Sequence, residues 1–130
     1  MSHPYEQEIL ANLERADQSL AAAQLLLDQH FLDSATSRAY YAAFYAATAA
    51  LLQEQETFKT HSSVLSAFHR VFVKSGRIPA EHGKHLNQLF ELRGIGDYGE
   101  TDHNTDAEAR AAVRMSEGFI AAVKEMLHRT

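Results

Sequence analysis

Apolar residues return every third or fourth position along almost the whole chain, and no alternating run survives, so the pattern predicts helices end to end. The first predicted helix opens at Pro4, a favoured first-turn position, and carries Ile9, Leu13, Ala16, Leu20, Ala23 and Leu27 on one stripe. The stretch QHFLD interrupts it, and Asp33 or Ser34 is placed to cap a second helix running to about Glu54. After the loop QETFKT, Thr60 caps a third helix with Val64, Leu65, Phe68, Val71 and Phe72 inward and Gly76 as its C-terminal stop. Pro79 opens a fourth, which carries Leu86, Leu89, Phe90 and Leu92, with Arg93 near its end. The Gly-rich polar stretch GIGDYGETDHN then reads as a break. Thr105 and Glu108 have capping-box spacing ahead of a fifth helix with Ala109, Val113, Ser116, Ile120, Val123 and Leu127 on one face. The expected fold is all-α: an up-and-down bundle of about five helices forming one domain over residues 1–130.

The second helix departs from simple amphipathicity. SRAYYAAFYAATAALL, residues 37–52, holds three tyrosines, a phenylalanine and seven alanines behind a single arginine. At 100° per residue, Arg38, Tyr41, Ala42, Tyr45, Ala49 and Leu52 share one side, and Tyr40, Phe44, Ala47 and Leu51 the other. A helix apolar all round is buried all round, so this one is expected at the centre of the bundle. The uncharged run is too short and alanine-rich to span a bilayer. Arg38 beside that core requires a carboxylate or an anionic ligand.

Composition narrows the function. The 130 residues are 45% apolar and 22% charged, as in a soluble globular domain. A formal net charge of −5 argues against holding duplex nucleic acid by bulk charge, but leaves room for a local cluster of arginine and histidine. Cysteine is absent, which removes disulfides and thiolate metal sites and suits a reducing compartment. With no basic flank and apolar core at the N-terminus, the expected location is cytoplasmic, away from membranes.

Gly94-Ile95-Gly96-Asp97-Tyr98-Gly99 is a literal G-x-G-x-x-G, but it follows a predicted helix and not a strand. It is therefore read as a helix stop and tight turn rather than a dinucleotide fingerprint. His82 and His85 have metal-compatible spacing without a third ligand, and are read as solvated surface histidines. No metal or cofactor is expected. What remains is Arg38 on the apolar helix, His61 at a helix start, and Arg93-x-x-x-Asp97-Tyr98 at a helix end. Arg38 and Asp97 either form a structural ion pair or belong to a small cationic, tyrosine-lined pocket that grips a phosphate. An arginine fork with a histidine near pKa 6.5 suits RNA phosphodiester chemistry, with the 2′-hydroxyl as internal nucleophile.

At these residues the chain resembles a HEPN domain (higher eukaryotes and prokaryotes nucleotide-binding), in particular the small stand-alone bacterial and archaeal group. The resemblance is carried by ATSRAYYAAFYAA at 35–47, KTHSSVL at 59–65, FVKSG at 72–76 and LRGIGDY at 92–98, and it covers essentially the whole chain. It implies a helical bundle, usually a homodimer, often encoded beside a minimal nucleotidyltransferase. In that arrangement the HEPN protein is the toxin and the transferase the antitoxin, in some cases by AMP transfer onto a HEPN tyrosine. Active relatives are metal-independent ribonucleases with an arginine, four to six residues, then a histidine, supplied by both protomers across a shared cleft.

Here Arg93 matches the arginine, but position 98 is Tyr98, and His103 lies too far along. Arg77-x4-His82 meets the bare spacing, but it spans Pro79 between two predicted helices. Tyr98, with a pKa near 10, is a poor base at pH 7, so His61 is the candidate imidazole if the fold brings it to Arg93. The resemblance thus implies an RNA- or nucleotide-interacting protein of a toxin–antitoxin or defence module. Arg93, Tyr98 and His61 are its candidate catalytic residues. Arg38, Tyr41 and Asp97 bind or orient, with Asp97 directed at an arginine such as Arg38. The alternative is a non-catalytic nucleotide- or partner-binding domain that docks onto a nucleotidyltransferase.

Overall fold

A computed structural model of the chain describes residues 3–99 and 101–129; Met1, Ser2, Thr130 and Glu100 of the Gly-rich stretch lie outside the described residues. Five α-helices follow one another: α1 (Glu6–Asp28), α2 (Leu32–Gln53), α3 (His61–Phe68), α4 (Ala80–Tyr98) and α5 (Asp106–Arg129). A π-helical turn, His69–Val73, extends α3. Among the described residues there is no strand, and no helix is long and apolar enough to cross a membrane.

The helix predicted to be central is central. α2 packs against all four other helices, and its small side chains let them approach: Ala35, Ala39, Ala43, Ala46, Ala47 and Ala50 are all fully buried. Phe68, Phe72 and Phe119 fill the space on one flank, with ring centroids 5.1 Å apart along the chain of contacts. Ser116 of α5 donates to the carbonyl of Ala39 at 2.7 Å, which satisfies a hydroxyl that the core would otherwise strand.

The helix ends differ from the expected ones for identifiable reasons. α1 begins at Glu6, two residues after Pro4. It stops at a Schellman motif, with Phe31 N–H bonded to Leu26 and His30 N–H to Leu27, and His30 at φ 63°. The same arrangement ends α2, with Gln55 at φ 59°. Neither left-handed residue is glycine, so neither stop announces itself in sequence. α2 starts at Leu32, and neither Asp33 nor Ser34 is its cap: Asp33 lies in the first turn and spends its carboxylate on a distant loop. Thr60 does cap α3, accepting from Ser63 N–H at 3.1 Å, and Gly76 sits at φ 76° in the turn that ends the π-helical segment.

The Gly-rich stretch holds the largest correction. α4 does not stop before it but runs through Gly94, Ile95, Gly96 and Asp97 to Tyr98. Each glycine in a helix costs about 1 kcal/mol relative to alanine, so tertiary contacts must offset it. They do so at Gly96, where a Cβ would lie 2.7 Å from Asn104 Oδ1 and 2.9 Å from Asp33 Oδ1. Only glycine lets α4 lie that close to the start of α2.

Candidate functional site

The site forms where α2, α3 and α4 meet. Arg93 projects from α4 across the tyrosine doublet of α2. Its Nε donates to Asp97 Oδ2 at 2.8 Å, and its Nη2 donates to Tyr41 OH at 3.0 Å and Tyr98 OH at 3.2 Å. The guanidinium carbon lies 5.3, 5.0 and 5.5 Å from the ring centres of Tyr40, Tyr41 and Tyr98. Three π-faces and a carboxylate therefore hold one cation in place, with its side chain 13% exposed. The Arg93–Asp97 pair is an i, i+4 pair and needs the unbroken helix through Gly94 and Gly96.

His61, the first residue of α3, completes the cluster. Its Nδ1 lies 2.9 Å from Tyr40 OH, its ring stacks on Phe44 at 4.1 Å, and it meets Tyr41 edge-on at 5.6 Å. Burial, and secondarily the charge of Arg93, lowers the His61 pKa, so the imidazole is neutral at pH 7. Burial of Tyr40 drives its phenol pKa strongly upward, against the pull of Arg93, so that hydroxyl stays protonated. Among the described residues His61 is the partner of Tyr40 OH. Tyr40 is fully buried, so its hydroxyl proton would be stranded if Nδ1 were the donor; the arrangement that satisfies both groups has the phenol donating to Nδ1 and the ring proton on Nε2. Partial burial works against the charge on Arg93, but Tyr41, the Asp97 hydrogen bond and Tyr98 outweigh it and raise its pKa.

A second network fixes the end of α4 from behind. Asp33 Oδ1 accepts from Asn104 N–H and Oδ2 contacts His103 Nδ1, both at 2.7 Å. Asn104 Nδ2 donates to the carbonyl of Leu92 at 2.9 Å, one residue before Arg93. Asn104 is buried, and its Oδ1 has no hydrogen-bond partner among the described residues. Burial opposes the Asp33 charge, yet the Asn104 amide and His103 prevail and lower its pKa. These contacts tie the start of α2, the loop before α5 and the Arg93 turn together.

Five of the six residues expected from sequence thus come together: Tyr41, His61, Arg93, Asp97 and Tyr98. Arg38 stands one step away. Its guanidinium carbon is 4.9 Å from the Tyr41 ring centre, and it lines an open groove with Ser34, Ser37 and Asp97. Asp97 orients Arg93, not Arg38, and among the described residues Arg38 has no ion pair. His61 does reach the neighbourhood of Arg93, through Tyr40 and Tyr41.

Sequence reasoning missed Tyr40 and Phe44, which it set on the far side of α2. Both face His61, because a helix wrapped on all sides has no single functional face. Phe90, 5.7 Å from Tyr40, is 39% exposed at the rim. The adjacent tyrosines in an otherwise aliphatic helix were the available signal.

The other candidates separate. Arg77 pairs with Glu54 and lies over Phe72, while His82 packs toward Gly118 of α5, so the Arg77-x4-His82 spacing builds no site. His82 is not the solvated residue expected: its side chain is 15% exposed and Nδ1 is buried without a partner among the described residues. Among those residues no three His, Asp or Glu side chains gather as a metal-ligand set.

Comparison with known proteins agrees with this architecture. The HEPN domain profile matches residues 10–126. A Thermotoga maritima protein named "UPF0332 protein" is 42% identical over 113 residues, covering 87% of this chain and 86% of that one. A Gloeobacter violaceus "UPF0332 protein" is 36% identical over 95% of this chain and 97% of its own length. A Methanocaldococcus jannaschii protein named "Putative toxin MJ0605" is 35% identical over 93% of this chain and 90% of its own. With a profile match spanning nearly its whole length and relatives of such identity, the chain belongs to the HEPN domain family.

Proposed function

We propose that this HEPN protein is the toxin-like member of a toxin–antitoxin or defence module, and that its Arg93 cluster grips a phosphate of RNA or a nucleotide. The observation that carries the reading is the Arg93 guanidinium held against Tyr41 and Tyr98 beside a neutral imidazole. A phosphate bound there meets a fixed cation and phenol and imidazole donors, with Arg38 along the adjacent groove. Relatives that carry the name "Putative toxin" support the module context. In this reading the protein works in the cytoplasm as a homodimer, and a minimal nucleotidyltransferase is its antitoxin. Tyr98, 73% exposed, is the tyrosine open to AMP transfer.

Whether the gripped phosphate is also cleaved turns on one proton. Metal-independent cleavage by this cluster requires a base, here His61, to take the 2′-hydroxyl proton as the 2′-oxygen attacks phosphorus, and an acid, such as the Tyr98 phenol, to protonate the departing 5′-oxygen. With Tyr40 donating to Nδ1, His61 presents Nε2–H, a donor and not a base. Cleavage therefore needs the other tautomer, in which Nδ1–H donates to Tyr40 and Nε2 is free. That requirement favours, as second reading, a phosphate-binding domain that docks onto its nucleotidyltransferase and leaves the chemistry to it. RNA cleavage by the purified protein in EDTA, with wild type beside Arg93→Ala and Arg93→Lys, separates the two. Metal-independent cleavage lost in both variants supports a ribonuclease. Arg93-dependent phosphate binding without cleavage supports the binding domain, and no binding at all overturns both.

A further inference from the structure

A cavity of about 320 Å³ opens directly beside the phosphate cluster, between the C-terminal half of α2, the loop after it and α3. Its floor is apolar, made by Phe44, Leu51, Leu52 and Val64, and Phe58 stands at its rim, 36% exposed. His61 is a wall of this cavity and a member of the Arg93 cluster at once. We propose that the cavity is a nucleobase subsite, holding the base of the nucleotide whose phosphate Arg93 grips. The proposal rests on the phosphate reading above and extends it.

Three features select a base over other occupants. First, the cavity lies within the size range of small-molecule sites, and it shares the His61 wall with the cationic cluster. Phe44 is one helical turn, about 5 Å, along α2 from Tyr40 and Tyr41. The cavity and the tyrosines that hold Arg93 therefore lie on adjacent turns of α2. Second, Phe44 and His61 stack on each other at 4.1 Å, which fixes both rings, and their outer edges together with the partly exposed Phe58 ring line the cavity with aromatic surface. Aromatic side chains of this kind bind bases regardless of sequence. Third, the rim is polar where a base has its hydrogen-bonding edge. Lys59 and Thr57 offer donors there, and Glu56 offers an acceptor that Arg70 holds at 3.2 Å. An aliphatic chain would leave those groups without use, whereas a ring with polar edges pairs with them.

The base comes either from a free mononucleotide or from RNA, and the test distinguishes them. Isothermal titration and amide chemical-shift mapping compare AMP, ribose 5-phosphate and a short single-stranded oligoribonucleotide on the full-length protein. The expected result is that AMP or the oligoribonucleotide shifts the amides of Phe58 and Val64 and binds about ten- to a hundred-fold tighter than ribose 5-phosphate. Phe58→Ala is expected to erase most of that difference, and Thr48→Phe, which fills the cavity from α2, to erase the cavity shifts. Because Phe58 is partly exposed, its alanine variant keeps the core intact, and the ligand comparison on wild type stands without any variant. A base-dependent gain confined to the oligoribonucleotide assigns the cavity to RNA; a gain with AMP alone assigns it to a free nucleotide.

Equal affinity for AMP, the oligoribonucleotide and ribose 5-phosphate, with no shift at Phe58 or Val64, overturns the base subsite while leaving the phosphate site standing. The same outcome follows if a second copy of the chain fills the cavity. Loss of all binding in wild type overturns the phosphate reading itself, and the subsite with it.

Discussion

The two glycines inside α4 make opposite predictions from the same substitution. Gly94→Ala adds a methyl into open space, since no heavy atom lies within 4 Å of the new Cβ. Removing glycine from a helix interior there is expected to stabilise by about 1 kcal/mol. Gly96→Ala gains the same propensity but drives its Cβ to 2.7 Å from Asn104 Oδ1 and 2.9 Å from Asp33 Oδ1. Neither oxygen belongs to a freely moving tip: Asp33 accepts the Asn104 backbone N–H, and the Asn104 amide is tied to the carbonyl of Leu92. Relieving the overlap costs about 1–3 kcal/mol, and breaking the bond to the Asp33 carboxylate costs about 1.5–3 more. Less the propensity gain, Gly96→Ala is expected to destabilise by about 1.5–5 kcal/mol. At roughly 3–5 °C per kcal/mol for a chain of this length, melting followed by circular dichroism moves up a few degrees for one variant. For the other it moves down by roughly 5 °C or more. The Arg93 turn shifts only in the second, so phosphate affinity falls there and not with Gly94→Ala. If both variants move the melting temperature the same way, the close approach of α4 to Asp33 and Asn104 is not what keeps that helix intact.

Tyr40→Phe removes the donor to His61 Nδ1, and loss of this part-buried hydrogen bond is expected to cost about 0.5–1.5 kcal/mol in urea unfolding. ¹⁵N NMR of the imidazole tests the assignment directly, with Nε2 protonated in wild type and the His61 pKa higher in the variant; a wild-type ring protonated on Nδ1 would refute it. The folded-state pKa values of His61 and His82 both lie below their unfolded value of 6.5, chiefly through burial. The unfolded chain therefore binds protons first, and this stability, complete above about pH 6.5, is lost as pH falls through the folded values. Urea midpoints between pH 7 and 5 should fall in wild type and flatten in His61→Gln/His82→Gln; a flat wild-type profile contradicts the burial argument. At the start of α5, Thr105 accepts from Glu108 N–H at 3.1 Å while Glu108 accepts from Thr105 N–H at 2.9 Å. Thr105→Ala should cost about 1 kcal/mol by chemical denaturation, and no loss would mean that the cap is idle.

The periodicity of apolar residues by itself determined the helix count and the central place of α2, because a stripe at 3.6-residue spacing has one way to be buried and an all-round apolar helix has none but the middle. The caps at Thr60 and Thr105 and the turn at Gly76 were equally local, each needing only side chains within a few residues. The motifs also pointed to Arg93, Asp97, Tyr98, Tyr41 and His61, which the fold gathers into one cluster. What the chain pattern did not reveal depended on groups far apart along it. The Schellman stops at His30 and Gln55 use residues with no intrinsic liking for the left-handed region, so packing imposes them. The continuation of α4 through two glycines is decided by Asp33 and Asn104, some 63 and 8 residues from Gly96 in numbering. Pairing of Asp97 with Arg93 instead of Arg38, and of Tyr40 with His61, follows from which helix faces touch. Local propensity is a sum over near neighbours, whereas a polar group in a core takes whichever partner the assembled helices bring within hydrogen-bond reach.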